Sequence, residues 1–261
     1  MDYLHKIEKN PYKDLYWNIP EEHKKGSVAV VGGNATGFIT PMKTAEYLVK
    51  TFPIEEVKLA LPDALKNKLP NLPNLAFLPS TDTGSFADGK AIASTVDATD
   101  FGLLIGDFSK NSITAAQVRS ACYSSEKPLL ITRDTIDLIA DESIEKTLMH
   151  DNIILMGSLA QIQKVFKSVY YPKMLMLSQS LLQITETIHK FTLSFPVGII
   201  TLHDGQIIIA KNGVVNVVPL VKIDTSAIAL WNGEIATKIV AMNLFCPNSF
   251  LEASTAALFY E

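Results

Sequence analysis

The sequence predicts an α/β protein built on a largely parallel sheet with helices on both faces. Three observations carry this. Short apolar runs rich in Val, Ile and Leu recur along the 261 residues. Longer segments of helical pattern separate most of them. Several of the runs stop at glycine or proline, as strands do where the chain turns. Strands joined by helical crossovers pair in parallel, and such sheets are buried on both sides.

The elements follow in order. Ser27–Val31 is a buried strand ending at Gly32-Gly33, and Pro41–Thr51 is the helix after it. Val57–Leu61 is a second strand, stopped by Pro62. Leu61–Ser85, rich in Pro, Asn and Thr, reads as a long irregular connection. Phe101–Ile105 is a third strand, ending at Gly106. Thr114–Ser124 is a helix capped from Ser112 or Thr114. Pro128–Thr132 and Asn152–Met156 are further strands, the latter ending at Gly157. Ser158 and Gln161 form a capping-box pattern that opens a helix through Phe166. Leu175–His189 is helical, Val197–Leu202 is a sixth strand, and His203-Asp204-Gly205 is a turn. Ile207–Lys211 and Val214–Pro219 flank Asn212-Gly213, a strong hairpin signal. Antiparallel strands therefore finish the sheet near its C-terminal edge. Asn232, as N-cap, opens an amphipathic helix over Ile235–Phe245. Ser249 and Glu252 form a second capping-box pattern for a last helix, inside which the chain stops.

Composition narrows the function classes. Hydrophobic residues make up 48% and charged residues 19%, which predicts a sizeable core and excludes long disorder. The net charge is −4 with no basic block, which argues against a nucleic-acid partner. The apolar runs are far too short to span a membrane. Residues 1–10 lack the apolar core of a secretory signal. Neither Cys122 and Cys246 nor the five histidines have metal-ligand spacing, so no metal site is expected. A reduced, cytoplasmic setting fits two distant cysteines.

In open α/β sheets ligands bind at the carboxyl ends of the strands. Three segments stand there. The glycines of Gly32-Gly33-Asn34-Ala35-Thr36-Gly37 allow close approach and expose N–H groups to a ligand. Gly106-Asp107-Phe108 and Thr132-Arg133-Asp134 follow two further strands. A fourth segment, Asn232-Gly233-Glu234, opens a helix whose N-terminus is an anion site with a carboxylate beside it. Each has a plain structural counterpart: a strand-to-helix turn, a solvated strand end, or an ordinary helix cap.

The order of these motifs resembles the ribokinase-like fold, and within it the NAD(P)H-hydrate dehydratase family. Lys24-Lys25-Gly26 through Gly32-Gly33, with Thr36-Gly37, resembles the family's opening strand and glycine turn. Leu129–Asp134 resembles a strand ending in two aspartates. Gly233-Glu234-Ile235-Ala236 falls on its catalytic glycine-aspartate turn, and Asn248–Thr255 resembles its last helix start. The similarity runs from Lys24 to Glu261. It implies a three-layer αβα sandwich, with residues 1–22 an N-terminal extension and 23–261 the ribokinase-like domain. Tyr3, Tyr12, Tyr16 and Trp17 of that extension would cap the core or meet a neighbouring subunit.

The resemblance further implies a cytoplasmic homo-oligomer that repairs hydrated NADH or NADPH at the expense of ATP or ADP with Mg2+. Its ligands would be these nucleotides, with no nucleic acid and no membrane partner. Asn232 and Gly233 would form the anion hole and Glu234 would be the base. Gly32, Gly33, Gly37, Gly106 and Asp134 would line the substrate or nucleotide cleft. Several positions depart from the family. Asp107 and Phe108 put a carboxylate and a bulky ring where a phosphate would lie, in place of a glycine-rich turn. Thr132 replaces the first of two aspartates, Asp204 a lysine, and Glu234 an aspartate. These departures support a second reading, a pseudoenzyme that keeps a nucleotide-binding or oligomeric scaffold role.

Overall fold

The computed structural model describes residues 2–70, 72–141, 143–223 and 227–260, with backbone alone at 227–229. Met1, Asn71 and Glu261, which the sequence places in the extension, the Leu61–Ser85 connection and the last helix, lie outside the described residues. The chain forms β1 (Leu4–Lys6), β2 (Ser27–Gly32), α1 (Ile39–Thr51), β3 (Glu56–Pro62), β4 (Leu75–Leu78) and α2 (Gly89–Asp97). Next come β5 (Phe101–Gly106), α3 (Ser112–Ser124), β6 (Leu129–Thr132), α4 (Asp134–Ile139), α5 (Ile144–Leu148) and β7 (Ile153–Met156). There follow α6 (Leu159–Ser168), α7 (Leu181–Ser194), β8 (Gly198–His203), β9 (Gln206–Lys211) and β10 (Val214–Pro219). The chain closes with α8 (Ala227–Asn232), α9 (Glu234–Phe245) and α10 (Phe250–Leu258). Two compact units result: Pro20–Ile139, and Met1–Ile19 with Ala140–Glu261.

In Pro20–Ile139 five parallel strands stand in the order β6-β5-β2-β3-β4. Val28–Val31 and Leu103–Ile105 have no solvent exposure, which is why they read as unbroken apolar runs rather than alternating ones. From β2 the chain steps outward to β3 and β4. It then returns through α2 to the other side of β2, as β5, and continues to β6. Right-handed crossovers place α1 on one face and α2 and α3 on the other. Accordingly α2 packs on α3, while α1 packs on β2, β3 and β5. The direction of winding reverses between β2 and β5. That is where an open sheet forms its ligand crevice.

In the second unit β7 and β8 are parallel, β9 runs antiparallel to both β8 and β10, and β1 adds in parallel to β10. Both hairpin turns have two residues at positive φ, Asp204-Gly205 and Asn212-Gly213. This is the turn whose twist matches that of the flanking strands. Ile207–Ala210 are all buried, and α7 and α10 both pack on β9. Phe166 stacks on Phe191 at 3.8 Å, with Tyr171 edge-on to both. Residues up to Ile19 belong to this unit. Tyr3 stacks on His189 at 3.9 Å and the Tyr16 hydroxyl donates to the Ala256 carbonyl at 2.9 Å. Trp17 remains exposed. Among the described residues no helix is long and apolar enough to cross a membrane.

Ser158 caps α6 as a full capping box, its Oγ accepting from the Gln161 N–H while Gln161 Oε1 accepts from the Ser158 N–H. Ser158→Ala is expected to lower stability by about 1 kcal/mol, read as a shift in the urea midpoint. No change would show that the α6 terminus frays without cost.

The structure corrects several local expectations. The Leu61–Ser85 connection contains β4, whose Leu-Ala-Phe-Leu run is masked by neighbouring Pro and Asn. The helix expected over Leu175–His189 is Leu181–Ser194, started by a second capping box from Ser180 and Gln183. Asn111, not Ser112 or Thr114, caps α3. Ser249 precedes α10 but makes no side-chain cap, so that capping box is absent. The last helix ends at Leu258, before the chain does. Ile235–Phe245 is buried around almost its whole circumference rather than amphipathic, because it packs between α8 and α10.

Candidate functional site

At the switch point the ends of β2 and β5 lie in contact. The Gly33 N–H donates to the Gly106 carbonyl at 2.9 Å. Glycine at 32 makes that approach possible, since a Cβ there would stand 2.5 Å from the same carbonyl oxygen. The loop after β2 is closed upon itself by Asn34. The Thr36 and Gly37 N–H groups donate to Asn34 Oδ1 at 2.8 and 3.0 Å. The Asn34 N–H donates to the Gly37 carbonyl and the Ala35 N–H to the Gly84 carbonyl, each at 2.8 Å. Asn34 Nδ2 donates to the Asp107 carbonyl at 2.6 Å. The N–H groups from Gly33 to Gly37 are thus spent inside the protein. The expectation that this turn offers them to an anion is corrected: it is a rigid frame for the crevice.

Charge at the site comes from the next two strand ends. Asp107 and Arg133, the residues that follow β5 and β6, both have φ of 59°. The left-handed region costs a non-glycine residue roughly 1–2 kcal/mol. Such strain persists only where the surroundings impose it, and it collects at functional sites. Here the two residues meet: Arg133 Nη2 donates to Asp107 Oδ1 at 2.7 Å, with the side chains 24% and 22% exposed. The Asp107 N–H donates to Asp134 Oδ1 at 2.8 Å. Burial lifts the Asp134 carboxyl above the usual aspartate range. The Asp107 N–H bond opposes that rise, the Asp107 charge adds to it and the Arg133 charge opposes it. Gly106, at φ of 91°, leaves room for Asp134, because a Cβ would lie 2.2 Å from Asp134 Oδ1.

The raised Asp134 carboxyl has a consequence for stability. A folded-state value above the unfolded one means that the native state binds the proton more tightly. Stability therefore falls as pH rises from the ordinary aspartate value of about 3.9 through the raised one, and the cost is complete above it. Asp134→Asn keeps an acceptor for the Asp107 N–H and removes the titration. The expected result is a flatter melting-temperature profile across the acidic range than that of the parent. Superimposable profiles would show that Asp134 titrates normally.

The sequence puts the Phe108 ring and the Asp107 carboxylate in the path of a phosphate. The structure alters both expectations. Phe108 is 3% exposed, with its ring 5.3 Å from that of Phe86, so it belongs to the core. The Asp107 charge is met by Arg133. Sequence reasoning misses this ion pair, although its signal is present: opposite charges directly after two strands.

Asn232, Gly233 and Glu234 lie together in the other unit. Gly233, not Asn232, occupies the cap position of α9, in left-handed conformation after α8. Asn232 ends α8 and its Oδ1 accepts from the Glu234 N–H at 2.9 Å. The Glu234 carboxylate is 41% exposed, with Lys238 Nζ at 4.0 Å. Lys238 itself donates to the Tyr260 carbonyl at 2.7 Å. Asp204 sits exposed in the β8–β9 turn.

No protein-family model matches the chain, and no curated protein matches its sequence significantly. Solved structures do match. A ribokinase-like superfamily protein of Enterococcus faecalis V583 is 12% identical, with a TM-score of 0.67 over 99% of this chain and 86% of that one. A hypothetical protein of Streptococcus mutans is 14% identical, with a TM-score of 0.63 over 94% and 85%. The ADP/ATP-dependent NAD(P)H-hydrate dehydratase of Bacillus subtilis, co-crystallised with ATP/Mg2+, is 12% identical, with a TM-score of 0.60 over 95% and 84%. The chain has the ribokinase-like α/β fold.

Proposed function

We propose that the chain binds an adenine nucleotide or NAD(P)H-type ligand in the crevice at the ends of β2, β5 and β6, as a catalytically impaired counterpart of the ADP/ATP-dependent NAD(P)H-hydrate dehydratases. The Asp107–Arg133 ion pair carries this reading. It holds a guanidinium in strained backbone at the switch point, where sheets of this kind take their ligands. A guanidinium suits phosphate oxygens through its planar fork of donors. The B. subtilis dehydratase that shares the fold was crystallised with ATP/Mg2+, which supports a nucleotide as the ligand class. Among the described residues no group of three or more His, Cys, Asp or Glu stands ready for a metal, so Mg2+ would arrive on the nucleotide's own phosphates.

Impairment is supported at the guanidinium and, separately, by a residue of the other unit. The loop N–H groups are spent, and the guanidinium is already paired with Asp107, with the Asp134 carboxyl beside that pair. Glu234 carries one methylene more than the aspartate it replaces. One preorganised donor is worth roughly 3 kcal/mol in a transition state, and a misplacement of about 1 Å can cost ~10²-fold. The active-enzyme reading keeps one supporting observation, the half-exposed Glu234 carboxylate in the first turn of α9.

A thermal-shift panel with ATP, ADP, NADH and NADPH, paired with an assay on hydrated NADH, separates the readings. The expected result is stabilisation by at least one of the four, with turnover near background. Stabilisation by none would overturn the binding site. Turnover that Glu234→Gln abolishes would overturn the impairment.

A further inference from the structure

Residues 20–139 carry a cleft of about 570 Å3 beside α1. It arises from an unusual crossover. Parallel strands are ordinarily joined through a helix that covers the sheet. Among the described residues between β3 and β4 the chain forms only the 3-10 turn Asp63–Leu65. The sheet surface next to α1 is left uncovered. Val57 and Leu59 alternate onto it from β3, and Leu75 of β4 stands opposite Leu59 in register. The facing wall is one stripe of α1 at helical spacing: Ile39, Met42, Glu46 and Val49. Ile39 is 55% and Val49 49% exposed, at positions where a surface helix normally carries polar side chains. Leu72 closes the third side.

Charge is confined to the rim. Lys50 Nζ lies 2.5 Å from Glu46 Oε1. That hydrogen bond holds the Glu46 carboxyl below its usual range, and the charges of Lys50 and Lys43 add to the effect. Glu46 is therefore ionised and matched by Lys50, which leaves Lys43 as one positive charge in excess. An apolar concavity of roughly 300–1,000 Å3 with a few placed polar groups has the size and character of a small-ligand site. We propose that this cleft binds a small amphipathic carboxylate, its hydrocarbon body against Val49, Leu59 and Leu75 and its carboxylate at Lys43. The proposal is independent of the reading of Asp107, Arg133 and Asp134.

Octanoate is the probe, titrated calorimetrically into the full chain, with octanol and octylammonium as matched controls. One saturable site per chain is expected for octanoate, with weaker binding of octanol and weakest of octylammonium. Val49→Glu is expected to weaken octanoate about tenfold or more, because it puts a charge against the hydrocarbon. Lys43→Glu is expected to reverse the preference toward octylammonium. Val49 and Lys43 both lie outside the core, and unchanged melting curves confirm folding. Three results would overturn the proposal. They are equal binding of all three probes, octanoate binding that Val49→Glu leaves intact, and no octanoate site but a self-association that Val49→Glu abolishes. The last would assign this face to a second copy of the chain.

Discussion

Gly106→Ala is expected to cost about 3–5 kcal/mol and to remove ligand-dependent stabilisation. Three penalties combine. Alanine at φ of 91° pays roughly 1–2 kcal/mol for left-handed backbone. Its Cβ would stand 2.2 Å from Asp134 Oδ1, so the carboxyl has to move, and overpacking of this kind costs about 1–3 kcal/mol. Moving Asp134 breaks the bond from the Asp107 N–H, a hydrogen bond to a charged group worth roughly 1.5–3 kcal/mol. The terms overlap, because relieving the clash is what breaks the bond. Gly205→Ala is the control. Gly205 has φ of 66°, and a methyl group added there would meet nothing within 4 Å, so only the backbone penalty of roughly 1–2 kcal/mol applies. Urea denaturation of the two variants separates strain from collision. Equal losses would show that Asp134 yields without cost and does not define the crevice.

Arg133→Ala is expected to act on stability and on binding together. It strands the Asp107 carboxylate beside Asp134 and removes the charge that holds the Asp134 carboxyl down. The pair is about a quarter exposed, so the loss at neutral pH is smaller than for a buried pair, about 1–2 kcal/mol. The sign of its pH dependence follows from the same charges. With the Asp134 carboxyl more reluctant to ionise, the variant loses more stability near pH 7 than in the acidic range, where that group protonates. Affinity for a phosphate-bearing ligand is expected to fall about tenfold or more, ~1.4 kcal/mol. Arg133→Lys keeps the charge but loses the planar fork, and should recover stability better than binding. A variant that binds nucleotide as the parent does would place the ligand away from this ion pair.

The parts of the site are unequally legible in the sequence. Gly32, Gly33 and Gly106 can be placed because each closes an apolar run, and the sheet brings those runs side by side. The glycine turn misleads at the level of individual donors. Its composition suits a phosphate loop, but Asn34 spends two of its N–H groups, and Gly84, far along the chain, supplies the acceptor for a third. Nothing local in Gly-Gly-Asn-Ala-Thr-Gly distinguishes the two outcomes. The start of α7 is legible in Ser180 and Gln183 but is obscured by the apolar Leu175–Leu177 upstream, which extends the helical pattern beyond the true cap.

What the sequence determined alone is the set of features decided within a few residues. These are the buried parallel strands, the two-residue hairpin turn at Asn212-Gly213, the turn at His203-Asp204-Gly205, and the capping box of Ser158 and Gln161. Their energetics lie in backbone propensity and in hydrogen bonds to near neighbours, so the local pattern suffices. What the tertiary structure decided is which distant groups meet. Asp107 and Arg133 are joined because β5 and β6 run in register and both end in left-handed turns. Phe108 leaves the crevice because Phe86 offers it a core contact. The crossover after β3 opens a cleft because a turn stands where a covering helix is usual. Each depends on the spacing of strands and on competition for burial across many residues, which no short window of the chain contains.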